Sequence, residues 1–133
     1  MNATTTSVSA AGPTSRWGRI GLWVLQILAA AAFLAAGSFK LAGNEMMVQV
    51  FDQIGIGQWF RYVTGIVEIV GAVALLVPFT AAFGGVWLAI TMLCAVSTHL
   101  FIIGGNPVPA IVLLLITASI AWFRRASFRA LLG

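Results

Sequence analysis

Few side chains in this sequence could carry chemistry, and the most informative of them lie within or at the ends of apolar runs. Only 8% of the 133 residues are charged, and the acidic residues are Glu45, Asp52 and Glu68. Glu68 stands seven residues after Arg61 and ten before Pro78 in an apolar stretch. At about 1.5 Å per helical residue it lies roughly 10 Å from the edge of a span. An ionised carboxylate at that depth is costly, so it should face other helices and either pair with a cation or keep a proton. Glu68 is therefore a candidate ligand- or proton-binding group; the structural alternative is a glutamate that only joins helices by hydrogen bonding. Thr64, Gly65, Gly71 and Ala72 share its helical face, a small-residue surface that also suits plain close packing.

Lys40 is the second candidate. Gly37, Phe33 and Gln26 precede it on one helical stripe, so it can either turn inward to Glu68 or extend to lipid headgroups. Gln26 lies deeper and reads as an interhelical hydrogen-bonder. His99 is the single histidine, a side-chain type that can pass protons; its structural alternative is an interfacial hydrogen bond. His99 and Lys40 come out nearer the outer surface than Glu68, so a triad requires tilt or side-chain reach. Arg61, Thr64 and Thr98 complete the polar set as secondary candidates.

Other chemistry is excluded by what these residues cannot assemble. One histidine cannot supply a two-histidine haem site, and no Cys, Asp or Glu near it completes a metal set. The single cysteine, Cys94, rules out an intrachain disulfide and a CxxC redox pair. There is no GxGxxG after a strand, no phosphate-binding Walker loop and no hydrolytic triad. No cofactor is expected to be held within the chain by soluble-enzyme motifs. The net charge of +4 comes from seven Lys and Arg residues that flank apolar runs, which argues against nucleic acid.

Hydrophobic residues make up 61% of the chain, and the long runs lack the period of two that a barrel strand would show, so membrane helices are expected. Residues 1–15 have no apolar face and are expected to be a disordered tail. The membrane domain is expected over 16–125, with spans at about 20–41, 59–77, 81–103 and 107–123, followed by a short basic tail at 126–133. The first span has its apolar core at Ile20–Ala36. Pro78, Phe79 and Thr80 make a turn so short that spans two and three form a hairpin. Asn106 can cap the last helix, with Pro107 at its first position. Between spans one and two, Met46, Met47, Val50, Phe51 and Ile54 recur at helical spacing against Glu45, Gln49, Asp52 and Gln53. This predicts a short interfacial amphipathic helix, with Asn44 as its cap and Gly55 as its stop.

The expected architecture is thus all-α, an integral membrane four-helix bundle with that interfacial helix between helices one and two. Arg16 and Arg19 before the first span, and Arg124, Arg125 and Arg129 after the last, place both termini in the cytoplasm by the positive-inside rule. The rival for the first run is a secretory signal peptide, with Ala35 and Ala36 near its end. Its apolar length favours a span, and a mature protein starting at Gly37 or Ser38 would refute the four-span arrangement.

Several short motifs together carry a family resemblance. They are Gly37-Ser-Phe-Lys40-Leu41, Phe51-x-x-Ile-Gly55, Gly65-x-x-Glu68-x-x-Gly71 and Leu75-Leu76-x-Pro78. The stretch from Trp17 to Arg124 resembles the DoxX-like family of small bacterial membrane proteins, with Gly57 where many relatives have proline. The resemblance implies a four-helix membrane bundle in the bacterial cytoplasmic (inner) membrane, and Lys40, Glu68 and His99 match the family's polar set. Some relatives are named for, or grouped with, membrane oxidoreductase systems that pass electrons to quinone or support redox stress responses, while distant animal relatives resemble assembly factors.

Three functions follow as expectations. The first is a non-autonomous subunit binding a lipophilic molecule such as a quinone, with Glu68 and His99 exchanging its protons. The second is a non-catalytic assembly factor or scaffold. The third is a proton-linked carrier using Glu68. The expected partners are membrane lipids, a membrane or peripheral redox protein, and a second copy of the chain; the steps Gly85 to Ala89 and Thr91 to Ala95 suit tight packing, within the chain first and in a homo-oligomer second.

Overall fold

The computed structural model describes residues 15–126. The expected N-terminal tail, apart from Ser15, and Arg129 with most of the C-terminal tail lie outside the described residues. Within them the chain is all-helical: α1 (Arg16–Ala42), α2 (Glu45–Ile54), α3 (Trp59–Leu76), a 3₁₀ turn (Pro78–Thr80), α4 (Ala81–Thr98), a π-helical turn (His99–Ile103) and α5 (Val108–Phe123). Three segments are long and apolar enough to cross a membrane: Arg16–Ala42, Trp59–Leu76 and Pro78–Ile103, with mean hydropathies of 2.0, 1.6 and 2.1. The helix α5 is apolar but has 16 residues, about 24 Å of rise against a hydrocarbon core of about 30 Å.

Local chemistry fixes the helix ends. The Ser15 hydroxyl accepts from the Gly18 amide at 3.0 Å and starts α1, four residues before the expected edge of the span. Gly43 ends α1 at φ 75, a left-handed conformation that suits a residue without Cβ. As expected, the Asn44 side chain accepts from the Met46 amide at 3.0 Å and Gly55 stops α2 in the left-handed region. Asn106 accepts from the Val108 amide at 3.0 Å, which leaves Pro107 just before α5 rather than inside it. The α-helical reading of 81–103 holds only to Thr98. Beyond it the backbone widens to a π-helical turn, then leaves the helix through Gly104 and Gly105, both at positive φ.

The packing is pairwise: α1 on α3, α3 on α4, α4 on α5, with α5 returning to α1. Phe33, Leu75, Leu88 and Ile120 are fully buried between them. The outward faces carry exposed Ile27, Leu28, Val70, Ile90, Leu93 and Leu115, a surface suited to hydrocarbon. Because lipid tails are as apolar as leucine, such helices gain from close backbone approach rather than from expelling water. Glycine supplies that approach. A Cβ on Gly84 would lie 2.9 Å from the Leu75 amide nitrogen, and one on Gly85 2.9 Å from the Thr117 carbonyl. The Gly85 to Ala89 step therefore serves α4–α5 contact within the chain.

The exposed Gly21 has nothing within 4 Å of a Cβ. Gly21→Ala is expected to raise stability by ~0.5–1 kcal/mol through helix propensity. Gly85→Ala is expected to lower it by about 1–3 kcal/mol, because backbone must move. Thermal melts in one detergent compare them directly, and equal melting temperatures would refute the close-packing account of α4–α5.

Candidate functional site

The helices α1 and α3 cross at glycine, and the crossing sets the polar centre. A Cβ on Gly37 would meet the Gly65 carbonyl at 2.8 Å and Ile69 Cγ1 at 2.7 Å, while one on Gly65 would meet the Gly37 carbonyl at 3.0 Å. Three residues beyond each glycine, nearly one turn on, stand Lys40 and Glu68. Lys40 Nζ lies 3.0 Å from Glu68 Oε1 and 3.0 Å from Oε2. The side chains are 13% and 5% exposed, so Lys40 turns inward instead of extending to headgroups. The periodic spacing on each helix thus brings together two of the three principal candidates.

Arg61 joins this centre in a way its position in the sequence does not disclose. It lies on the buried stripe of α3 with Gly65, Glu68, Ala72 and Leu75 and is itself 5% exposed. Its guanidinium donates to the main-chain carbonyl of Lys40, and its Nε donates to Gln58 Oε1 at 2.8 Å. Carbonyls in the last turn of a helix lack intrahelical partners, and a cation there also opposes the negative end of the helix dipole. Gln58 in turn donates through Nε2 to Asp52 Oδ1 at 2.8 Å and to the Val48 carbonyl at 3.0 Å. A continuous polar chain therefore runs from α2 through Gln58 and Arg61 to the end of α1. Phe51, buried under α2, meets Phe60 edge-on at 5.8 Å and seals this end.

The other candidates have local partners. His99 is half-buried on the π-helical turn, which packs against α2, and its Nδ1 lies 3.0 Å from the Gly104 carbonyl. Thr64 donates back to the Phe60 and Arg61 carbonyls, and Thr98 to that of Cys94 at 2.8 Å. Gln26 lies at the opposite end of α1, fully buried. Its Nε2 donates to the Leu75 carbonyl at 2.7 Å and its Oε1 accepts from Arg124 Nε at 2.8 Å, so it links α1, α3 and the residue after α5. This is the interhelical role its depth suggested. Sequence reasoning missed Trp87, whose indole nitrogen donates to the Val67 carbonyl at 2.9 Å, one residue before Glu68. A tryptophan inside an apolar run was the available signal, since an indole N–H away from water needs an acceptor.

Among the described residues, no three His, Cys, Asp or Glu side chains converge as a metal set. An open apolar groove on the α4–α5 face, lined by Val86, Ala89, Ile90, Ala118, Ala121 and Trp122, includes none of the polar candidates. What the Lys40–Glu68 centre offers is a charge-paired, mostly buried carboxylate between α1 and α3.

A protein of Bacillus subtilis (strain 168) named "Putative oxidoreductase CatD" is 29% identical over 79 residues, 59% of this chain and 59% of that protein. The match thus spans about three-fifths of that relative's length. No solved structure matches the chain. The model of the DoxX-like family matches residues 24–124, from within α1 to the end of α5, and the chain belongs to that family.

Proposed function

We propose that this protein is a non-autonomous membrane subunit that binds a lipophilic small molecule such as a quinone beside Lys40 and Glu68, in support of membrane redox activity. The observation that carries the reading is the Lys40–Glu68 pair, an ion pair held at 3.0 Å with side chains only 13% and 5% exposed. A carbonyl or hydroxyl of a ring compound can accept from Lys40 or donate to Glu68. Reduction of a quinone takes up two electrons, supplied by a partner redox protein, and two protons, which the Lys40 ammonium or Glu68 in its protonated form can donate. His99 stands at the same end as a second proton carrier. The name of the Bacillus relative supports the redox part of the proposal.

The same reading takes the four apolar helices as a four-helix bundle in the bacterial inner membrane, with both termini cytoplasmic. The charges support that orientation: Arg16, Arg19, Arg124 and Arg125 mark one end, and Lys40 with α2 the other. The helix α2 then lies in the outer interface, with exposed Met46 toward lipid.

The test is mass spectrometry of small molecules retained by the protein in nanodiscs, comparing wild type with Glu68→Gln. A quinone or other specific lipophile present in the first and lost in the second is the expected result. An empty wild type would refute the ligand-binding reading. It would favour the second one, an assembly factor, which draws support from a specific observation: Arg61, Gln26, Thr64 and Thr98 are all engaged in closing or bracing helices.

A further inference from the structure

The end of the molecule opposite Lys40 has a different character. The three acidic side chains, Glu45 and Asp52 on α2 and Glu68 in α3, all lie away from it, whereas Arg16, Arg19, Arg124 and Arg125 gather there. These arginines are set among tryptophans. Arg124 Cζ stands 5.3 Å from the Trp23 ring centroid and Arg125 Cζ 4.4 Å from that of Trp122. On α1, Arg16, Arg19, Trp23 and Gln26 follow one another at helical spacing, so two arginines lead along a single face to the ring that Arg124 covers. Arg124 is also held in place, because its Nε donates to the fully buried Gln26. Since Arg124, just after α5, stands against Trp23 and Gln26 of α1, it lies about one helical turn along that face from Arg19, and the two basic groups border one seam.

We propose that this seam is a binding site for the headgroup of an anionic phospholipid, with Arg19 and Arg124 gripping the phosphate from α1 and α5. Tryptophan settles at the headgroup level of a bilayer, and the guanidinium plane matches phosphate oxygens in paired hydrogen bonds. A lipid is favoured over an acidic protein because the rings beside the arginines would lie among acyl chains and glycerol. A diffusing protein partner would find them already covered by lipid.

The experiment places the full chain in nanodiscs of phosphatidylcholine with a minor fraction of phosphatidylglycerol, then measures by native mass spectrometry which lipid stays bound after release. Wild type is expected to retain phosphatidylglycerol well above its bulk fraction. Arg19→Gln, at an exposed position on α1, is expected to cut that enrichment about five-fold, the factor corresponding to ~1 kcal/mol per basic side chain at an anionic surface. Arg124→Lys keeps the charge and loses the planar grip, so it should fall between the two. Retention in proportion to bulk composition, or Arg19→Gln equal to wild type, would overturn the proposal. Capture of an acidic protein with no lipid preference would overturn it equally. The readout does not depend on any ligand at Lys40 and Glu68.

Discussion

Lys40→Met is expected to lower stability by about 3–5 kcal/mol, and adding Glu68→Met to recover most of that loss. The reason is the asymmetry of buried ion pairs. Removing one partner leaves the other charge desolvated and uncompensated, whereas replacing both with apolar side chains of similar volume removes the desolvation cost altogether. Lys40 and Glu68 meet the conditions for a large effect, since both are mostly buried and Lys40 approaches both carboxylate oxygens at 3.0 Å. Unfolding in mixed micelles, followed by tryptophan fluorescence, reads the single and double variants. A single variant as stable as wild type would show that the pair contributes nothing to the fold. The double variant has a second use: folded but without carboxylate or ammonium, it should retain no quinone, which separates a binding role from a purely structural one.

Gly37→Ala should have the other large effect, and it should reach the site as well as the fold. A methyl group there would meet the Gly65 carbonyl at 2.8 Å, and backbone cannot yield as a flexible side chain can. Forcing α1 from α3 is expected to cost at least ~1–3 kcal/mol. Gly37 precedes Lys40 by less than one helical turn, as Gly65 precedes Glu68, so separating the helices also lengthens the ion pair. A double-mutant cycle of Gly37→Ala with Lys40→Met should therefore show coupling, the second change costing less once the first has been made. Strict additivity would mean that the crossing does not hold the pair together.

Much of this centre could be read from residue order because it follows helical periodicity. Glu68 stands out as a carboxylate at membrane depth, and Lys40 shares a stripe with Gly37, Phe33 and Gln26, all three of them buried. The caps at Asn44 and Gly55 were equally legible, since they depend on neighbours within a few residues. Contacts that depend on how two helices cross were not legible. Arg61 reads in the sequence only as a secondary polar candidate, yet it is buried against a main-chain carbonyl, an acceptor that every residue possesses and no side-chain pattern marks. Arg124 and Gln26 are 98 residues apart, and their meeting follows from where α5 returns to α1. The π-helical turn at His99 was likewise invisible, because an apolar run reads the same whether its hydrogen bonds span four residues or five.

Arg61 from α3 closes the last turn of α1, and Gln26 from α1 closes that of α3 through the Leu75 carbonyl. During synthesis, then, α1 is made before the groups that complete it. Its lysine lacks a counter-charge, and the Lys40 carbonyl has only the Gly43 amide at 3.4 Å, until a segment made some twenty residues later enters beside it. In lipid such a wait is costly, so the newborn α1 has reason to linger at the insertion machinery or the headgroup layer until α3 arrives. The two helices then commit to the bilayer as a pair, and a ribosome pausing between them would leave the chain at its most vulnerable.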